Sequence, residues 1–245
     1  MNLGKTDRLL QVKHDILKLQ GFKTTVGDNN LNISLPCITN AFPTKSFPIG
    51  CMHEFIGYSQ TDIAATAGFI LGLLHNSLQQ GGTCLWIGPS PCIYPPAIQQ
   101  FGVKPEQIIF ININKEKDLL YCTEEALKCN KLTAVFTEIK SLDFKISRRF
   151  QLAAEQSRVT GFILRNQPKI LNTIACVSRW HVSQRASALP YGMPGVGFPA
   201  WNVDLQKVRN GHPGKWQIEW APQGLCEVKE NIIPIEQKQQ LRQTV

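Results

Sequence analysis

Apolar residues recur through the middle of the chain in two alternating patterns. Short, nearly continuous apolar runs predict buried strands at 53–57, 83–88, 107–113, 132–139 and 160–164. Between these runs, apolar positions at helical spacing predict helices at 61–79, 95–101, 118–129 and 146–156. Strands that alternate with helices favour a mostly parallel sheet with helices on both of its faces. We therefore predict an α/β fold.

The two ends of the chain lack this alternation. Capping residues followed by an apolar stripe predict a helix over 6–20, and the prolines that follow predict an extended linker over 22–49. The segments 201–208 and 215–220 flank Asn-Gly and Pro-Gly turn signals, which predicts an antiparallel hairpin. The predicted division is an N-terminal helix and linker (1–48), a core (49–225) and a flexible C-terminal tail (226–245).

The turn after the first predicted strand has the register of a phosphate-binding loop, G-x-x-x-x-G-K-[ST], without its chemistry. Gly57 occupies the first glycine, but Ile63 and Ala64 stand where the motif needs Lys for the phosphates and a hydroxyl for Mg²⁺. Asp62 replaces the second glycine; a carboxylate there repels phosphate but can satisfy free amides at a helix N-terminus. We therefore predict a degenerate nucleotide loop with no catalytic residue, formed by Gly57, Thr61, Asp62, Ile63 and Ala64.

Composition predicts an ordinary globular protein. The 245 residues are 43% hydrophobic, which suits one large domain, and the longest apolar run, 63–74, is too short to cross a bilayer. The charged, amphipathic start of the chain has no signal-peptide pattern, which predicts a cytoplasmic protein. The eight cysteines form no CxxC pair and the five histidines form no HxH or HExxH motif. We therefore expect buried, reduced thiols, no metal site and no cofactor.

The net charge of +8 permits contact with nucleic acid without requiring it. Arg148 and Arg149 lie on a predicted helix, where they could contact a phosphate backbone or form an ordinary solvated face. The segments 138–146 and 168–173, which follow two predicted strands, are short and carry no array of stacking aromatics. We therefore expect weak electrostatic DNA contact at most. The candidate contacts to DNA or to a partner are Lys145, Arg148, Arg149, Arg165, Lys207 and Arg209.

The order of these segments resembles the core of RecA-like proteins. The resemblance begins at the lead-in to the loop near Gly50, continues through the strands at 83–88 and 132–139, and ends at the hairpin. More narrowly, the chain is similar to the ImuA family. These are RecA-related accessory proteins encoded beside an inactive Y-family polymerase homologue, ImuB, and an error-prone polymerase. The segments that carry this similarity, within residues 47–222, are 47–55, 149–155, 162–165 and 207–216.

The resemblance implies a fold and a role that residue patterns alone do not establish. The implied fold is a RecA-like P-loop core, with a mostly parallel sheet sandwiched by helices and with C-terminal antiparallel strands. The implied role is that of a non-catalytic accessory protein in SOS-type DNA damage tolerance and mutagenic translesion synthesis, associated with the nucleoid when it acts on DNA. The implied partners are an ImuB-like Y-family polymerase homologue, which the chain would bridge to an error-prone polymerase, and RecA.

Two further positions of the RecA-type catalytic machinery bear on this role. The segment after the second strand, 88–91, offers no carboxylate to activate water. Thr137 stands where the Walker B aspartate is expected, and Glu138 should face the other side of its strand, towards solvent or Lys140. Because phosphoryl transfer depends on positioned charge and metal, we expect no ATP hydrolysis.

Other interpretations stay open at the level of sequence. One is a divergent RecA-like ATPase that acts on DNA with an unusual loop, and another is an SOS-type inhibitor of cell division. Trp201, Trp216 and Trp220 could form a partner-binding surface or pack against the end of the sheet. The predicted helix at 6–20 could pack on a neighbouring subunit or on its own core.

Overall fold

The structure, a computed structural model, describes residues 8–9, 11–12, 15–16, 33, 35–89, 93–187 and 197–228. The strands within these residues are β1 (Met52–Gly57), β2 (Cys84–Gly88), β3 (Ile108–Asn112), β4 (Ala134–Ile139), β5 (Thr160–Asn166), β6 (Ser178–Arg185), β7 (Ala200–Val208), β8 (Gly214–Ala221) and β9 (Gly224–Glu227). The α-helices are α1 (Pro36–Thr39), α2 (Gln60–Gln79), α3 (Glu116–Lys128) and α4 (Phe144–Ser157). Two 3₁₀ helices, Pro95–Phe101 and Pro105–Gln107, lie between β2 and β3.

The described strands form one nine-stranded sheet in the order β3-β2-β4-β5-β1-β6-β7-β8-β9. The pairings from β3 across to β6 are parallel, and those from β6 to β9 are antiparallel. The predicted α/β fold and its antiparallel C-terminal strands are confirmed, and the architecture is compatible with a RecA-like fold. Because parallel strands end at the same edge of a sheet, the segments that follow β1, β4 and β5 lie along one edge.

Helices cover both faces of the sheet. On one face, α2 brings Phe69 against Trp180 of β6, and the Trp180 ring stacks on Phe55 of β1 with centroids 5.9 Å apart. On the other face, α3 and α4 bury residues such as Leu127 and Phe150 against the sheet. The apolar residues at helical spacing in α2, α3 and α4 therefore belong to two separate core layers, one on each face of the sheet.

Two of the three tryptophans near the C-terminal end of the sheet belong to its core. Trp201 and Trp220 are 4% and 7% exposed, and both rings pack against Phe101. The indole N–H of Trp220 donates a hydrogen bond to the Gln100 carbonyl at 2.8 Å. Packing against the end of the sheet is therefore the confirmed interpretation for these two residues.

The prediction of an extended linker over 22–49 is wrong for residues 35–48, which the structure describes. It forms α1 and a series of turns, and it buries Ile38, Phe42 and Phe47 in the core. His53 holds its end in place, because the imidazole Nε2 donates to the Pro48 carbonyl at 2.9 Å while Nδ1 accepts from Ser178 Oγ at 2.6 Å. Prolines here shape turns that pack against β1 and β6, so the compact domain begins well before residue 49.

The remaining predictions for the two ends fall mostly outside the described residues. Only three residue pairs of the predicted helix at 6–20 are described, and these are helical. Of the predicted tail at 226–245, only 226–228 are described, and Cys226 and Glu227 belong to β9.

Candidate functional site

The connection from β1 to α2 is a tight turn closed by Asp62. The strand ends at Gly57 and the helix begins at Gln60, so only Tyr58 and Ser59 lie between them. The Asp62 carboxylate accepts hydrogen bonds from the backbone N–H groups of Tyr58, at 3.0 Å, and Ser59, at 3.2 Å. The Asp62 N–H in turn donates to Ser59 Oγ at 3.1 Å, which completes a capping box. The prediction that Asp62 satisfies amides at the helix start is confirmed.

The other loop positions also lack a phosphate-binding arrangement. The side chain of Ile63 is 1% exposed and lies over Gly57, where an added Cβ would be 2.7 Å from Ile63 Cγ1. Ala64 is exposed, and the Thr61 hydroxyl lies 2.8 Å from Ser59 Oγ. The position that would carry the phosphate-binding Lys therefore points into the core. The amides of Tyr58 and Ser59, which a P-loop would offer to phosphate, bond the Asp62 carboxylate in this turn.

An imidazole and a phenol flank the capped turn. His181 Nε2 lies 3.3 Å from Asp62 Oδ2, and the Tyr58 ring meets the His181 ring edge-on at 5.0 Å. The parallel pairing of β1 with β6 places His181 beside Ile56, which brings it to the turn although 119 residues separate it from Asp62. Sequence reasoning missed His181 because its only signal was a polar place in an alternating strand.

The two candidate residues on β4 lie on opposite faces of the sheet, as predicted. Thr137 is buried on the α3 side, where its hydroxyl lies 3.1 Å from that of Thr123. Glu138 lies on the other side, and its carboxylate accepts a hydrogen bond from the Trp86 indole N–H at 2.6 Å. The expectation that Glu138 faces solvent or Lys140 is corrected, because the carboxylate is half-buried beside Trp86. Neither side chain reaches the β1–α2 turn through the contacts described.

The candidate basic contacts differ in their exposure and in their partners. Lys145, Arg148 and Lys207 are exposed. Arg149 forms an ion pair with Glu124 of α3, and Arg209 is half-buried, with its guanidinium donating to the Ala175 carbonyl at 3.3 Å.

Arg165 is the clearest departure from the sequence-based list. Its side chain is 3% exposed and is therefore removed from the surface that DNA or a partner could contact. Its guanidinium Nη1 donates to Glu54 Oε1 at 3.0 Å, and the second oxygen of Glu54 accepts from Arg179 Nε at 2.5 Å. A buried arginine needs such a partner because an uncompensated charge is costly away from water.

This buried triad of Glu54, Arg165 and Arg179 fixes the segment that follows β5. Arg165 donates to the Ile170 carbonyl at 3.1 Å and to the Asn172 side-chain oxygen at 3.2 Å, and Arg179 donates to the Asn172 carbonyl at 2.7 Å. The triad thus joins β1, β5 and β6 to the chain at 170–172. The sequence signal was a carboxylate inside the apolar run of β1, but its partners lie more than a hundred residues away.

Among the described residues, every helix is too short or too polar to span a bilayer. The same residues contain no group of three or more His, Cys, Asp or Glu side chains that could hold a metal ion.

The fold and the turn together define an α/β protein of RecA-compatible architecture whose loop after the first core strand is closed by its own aspartate. No family model matches the chain. It is 28% identical over 201 residues to Protein ImuA of Caulobacter vibrioides strain NA1000 / CB15N, covering 77% of this chain and 82% of that protein. Protein ImuA of Caulobacter vibrioides strain ATCC 19089 matches to the same extent. This similarity supports the assignment of the chain to the ImuA family and confirms the resemblance found in its sequence.

Proposed function

We propose that this chain is a non-catalytic accessory protein of SOS-type DNA damage tolerance and mutagenic translesion synthesis. The similarity to Protein ImuA supports the process. The observation that carries the non-catalytic role is the Asp62 carboxylate, which bonds the backbone amides of Tyr58 and Ser59. A P-loop offers such amides to phosphate, whereas this turn uses them to hold its own helix.

The proposed absence of ATP hydrolysis has support at separate positions. Phosphoryl transfer requires a positioned cation, a metal ligand and a group that orients the nucleophile. Ile63 is in the core where the Lys would stand, Ala64 has no hydroxyl, and Thr137 bonds Thr123 on the side of α3. Restoring one of these parts would leave the others missing.

The proposed mechanism is docking without a chemical step. The chain would bridge an ImuB-like Y-family polymerase homologue to an error-prone polymerase and would meet RecA as a further partner, in the cytoplasm and at the nucleoid. Exposed cations such as Lys145, Arg148 and Lys207 would add weak, salt-sensitive DNA contact.

The test is reconstitution with purified proteins. The chain is mixed with the inactive Y-family homologue and the error-prone polymerase from the same genome, and complexes are separated by size-exclusion chromatography with and without Mg-ATP. We expect a ternary complex that forms equally in both conditions. Failure of the Y-family homologue to bind would contradict the bridging role, and a complex that requires ATP hydrolysis would favour the divergent ATPase. Binding of a cell-division protein in place of the polymerases would favour the division inhibitor.

A further inference from the structure

A pocket of about 480 Å³ opens at the carboxyl edge of the sheet, between the segments that follow β4 and β5. The 140–143 segment forms one wall, the 165–172 segment forms the other, and the start of α3 closes the end. The Asn172 side-chain amide donates to the Leu142 carbonyl at 2.7 Å and ties the two walls together. Because the Glu54–Arg165–Arg179 triad holds the second wall, the pocket is supported by a buried network.

The acidic groups of this pocket are already engaged. Glu116 accepts a hydrogen bond from Ser141 Oγ at 2.6 Å, and Asp143 caps α4 by accepting from the Ile146 N–H at 2.7 Å. Both carboxylates lie at helix starts, where the helix dipole offsets part of their charge.

The cationic groups of the pocket are not engaged in the same way. Lys140 and Lys169 line it, are exposed, and form no hydrogen bond or ion pair with another described residue. Arg165 also lines the pocket, but its buried guanidinium is held by Glu54, Ile170 and Asn172. The charged side chains left available for a ligand are therefore the two lysines.

The rest of the lining is apolar and extends onto the surface. Leu120, Leu142 and Ile146 contribute to the pocket, and Ile170 stands at its rim with 75% of its side chain exposed. Its neighbour Leu171 is 43% exposed, and Phe144, next to the Asp143 cap, is 55% exposed. Exposed apolar side chains around a concave site are typical of protein-binding surfaces.

We propose that this pocket docks an extended acidic segment of a partner protein, with an apolar side chain in the pocket and a flanking carboxylate between Lys140 and Lys169. The apolar floor favours a peptide over single-stranded DNA, because the pocket lining carries no aromatic ring on which a base could stack. A phosphate ligand is disfavoured because both helix starts at the pocket carry carboxylates. The inference rests on the proposed function only in that its occupant belongs to a partner protein.

Synthetic probes test the pocket without any natural partner. Fluorescence anisotropy is measured for the full chain with a labelled ten-residue peptide of alternating Asp and Leu, with its Lys and Leu counterpart, and with a labelled oligothymidine. The variant Lys140→Glu/Lys169→Glu reverses the two free cations. The matched control Lys104→Glu/Lys131→Glu makes the same charge change on exposed lysines that precede β3 and β4, at the opposite edge of the sheet.

We expect saturable binding of the acidic peptide and no saturable binding of the basic one. Reversing Lys140 and Lys169 should weaken the acidic peptide by about tenfold, since two favourable pairs become unfavourable, while the control stays within about twofold of the parent. Ile170→Thr should also weaken it, and Ile109→Thr, the same change on exposed β3, should not.

Three results would overturn the inference. The first is that the acidic peptide does not bind. The second is that the pocket variant and the control variant weaken binding of the acidic peptide equally. The third is that the pocket variant loses binding of the oligothymidine but not of the peptide, which would make this a nucleic-acid surface. Each can occur while the ternary complex still forms, and a failed complex can accompany intact peptide binding, so the two proposals fail separately. Circular dichroism spectra of all variants confirm that they fold.

Discussion

The buried Glu54–Arg165–Arg179 triad makes the sharpest stability prediction. Glu54→Gln keeps the shape of the side chain but removes the only negative charge of the triad. Glu54 is 1% exposed and Arg165 3%, so water replaces little of the lost interaction. Breaking a buried charge pair by removing one partner costs about 3–5 kcal/mol, because the remaining charge stays buried and uncompensated. We expect the free energy of unfolding to fall by about that amount.

Urea unfolding followed by circular dichroism measures this change, with the m-value checked for constancy. Glu124→Gln is the matched control: it makes the same substitution in an ion pair whose arginine, Arg149, is 58% exposed. That control should lose less than about 1 kcal/mol. Equal losses of under about 1 kcal/mol in both variants would refute the reasoning, because the triad would then behave like a surface pair.

A second arm separates charge from packing. Replacing the whole triad with Glu54→Leu, Arg165→Met and Arg179→Leu removes every buried charge, and it should recover most of the stability lost in Glu54→Gln. A triple variant that is less stable than Glu54→Gln would show that the hydrogen bonds to the 170–172 segment matter more than the uncompensated charge.

Three other predictions concern separate parts of the molecule. Burial lowers the pKa of His53 from 6.5 to about 4, so the folded state favours the neutral imidazole. The stability that this preference contributes is fully present above pH 6.5 and is lost as the pH falls, by about 3 kcal/mol at pH 4. His53→Gln should therefore flatten the dependence of the unfolding free energy on pH. An unchanged profile in His53→Gln would contradict this. Asp62→Ala should cost about 1–2 kcal/mol in urea unfolding by removing the capping box, whereas exposed Asp118→Ala should cost less. Burial raises the pKa of Cys84 to about 12, so a thiol reagent should modify exposed Cys129 in the folded protein and Cys84 only after unfolding; modification of both at equal rates would contradict the burial.

The sequence predicts the α/β core well because the signals of the core are local. The apolar runs of β1, β2, β4 and β5 report burial on both faces. The helices between the strands carry an apolar stripe, and α2 and α4 begin at the capping residues Ser59 and Asp143. Element ends shift by at most two residues, since caps and fraying do not follow hydrophobicity. The prolines of the segment 35–48 predict a linker. Its apolar side chains are nevertheless buried, because they pack against β1 and β6, which lie far away in the sequence.

The candidate site also combines local contacts, which the sequence predicts, with contacts between distant strands, which it does not. The Asp62 cap is a contact between near neighbours, so the sequence was enough to predict it. His181 and the triad depend on pairing between strands more than a hundred residues apart, which one sequence does not reveal. Arg165 is an example. Its sequence neighbourhood predicts a surface contact, whereas its burial is explained by an ion pair with Glu54 of another strand.

The central claim is that the β1–α2 turn no longer binds nucleotide because Asp62 takes the place of phosphate. Isothermal titration calorimetry of the purified chain with Mg-ATP tests this directly, with a turnover assay on the same sample. The account predicts no saturable heat at millimolar ATP and no phosphate release above the level of a no-enzyme control. Saturable Mg-ATP binding, or any ATP turnover by the parent chain, would contradict it.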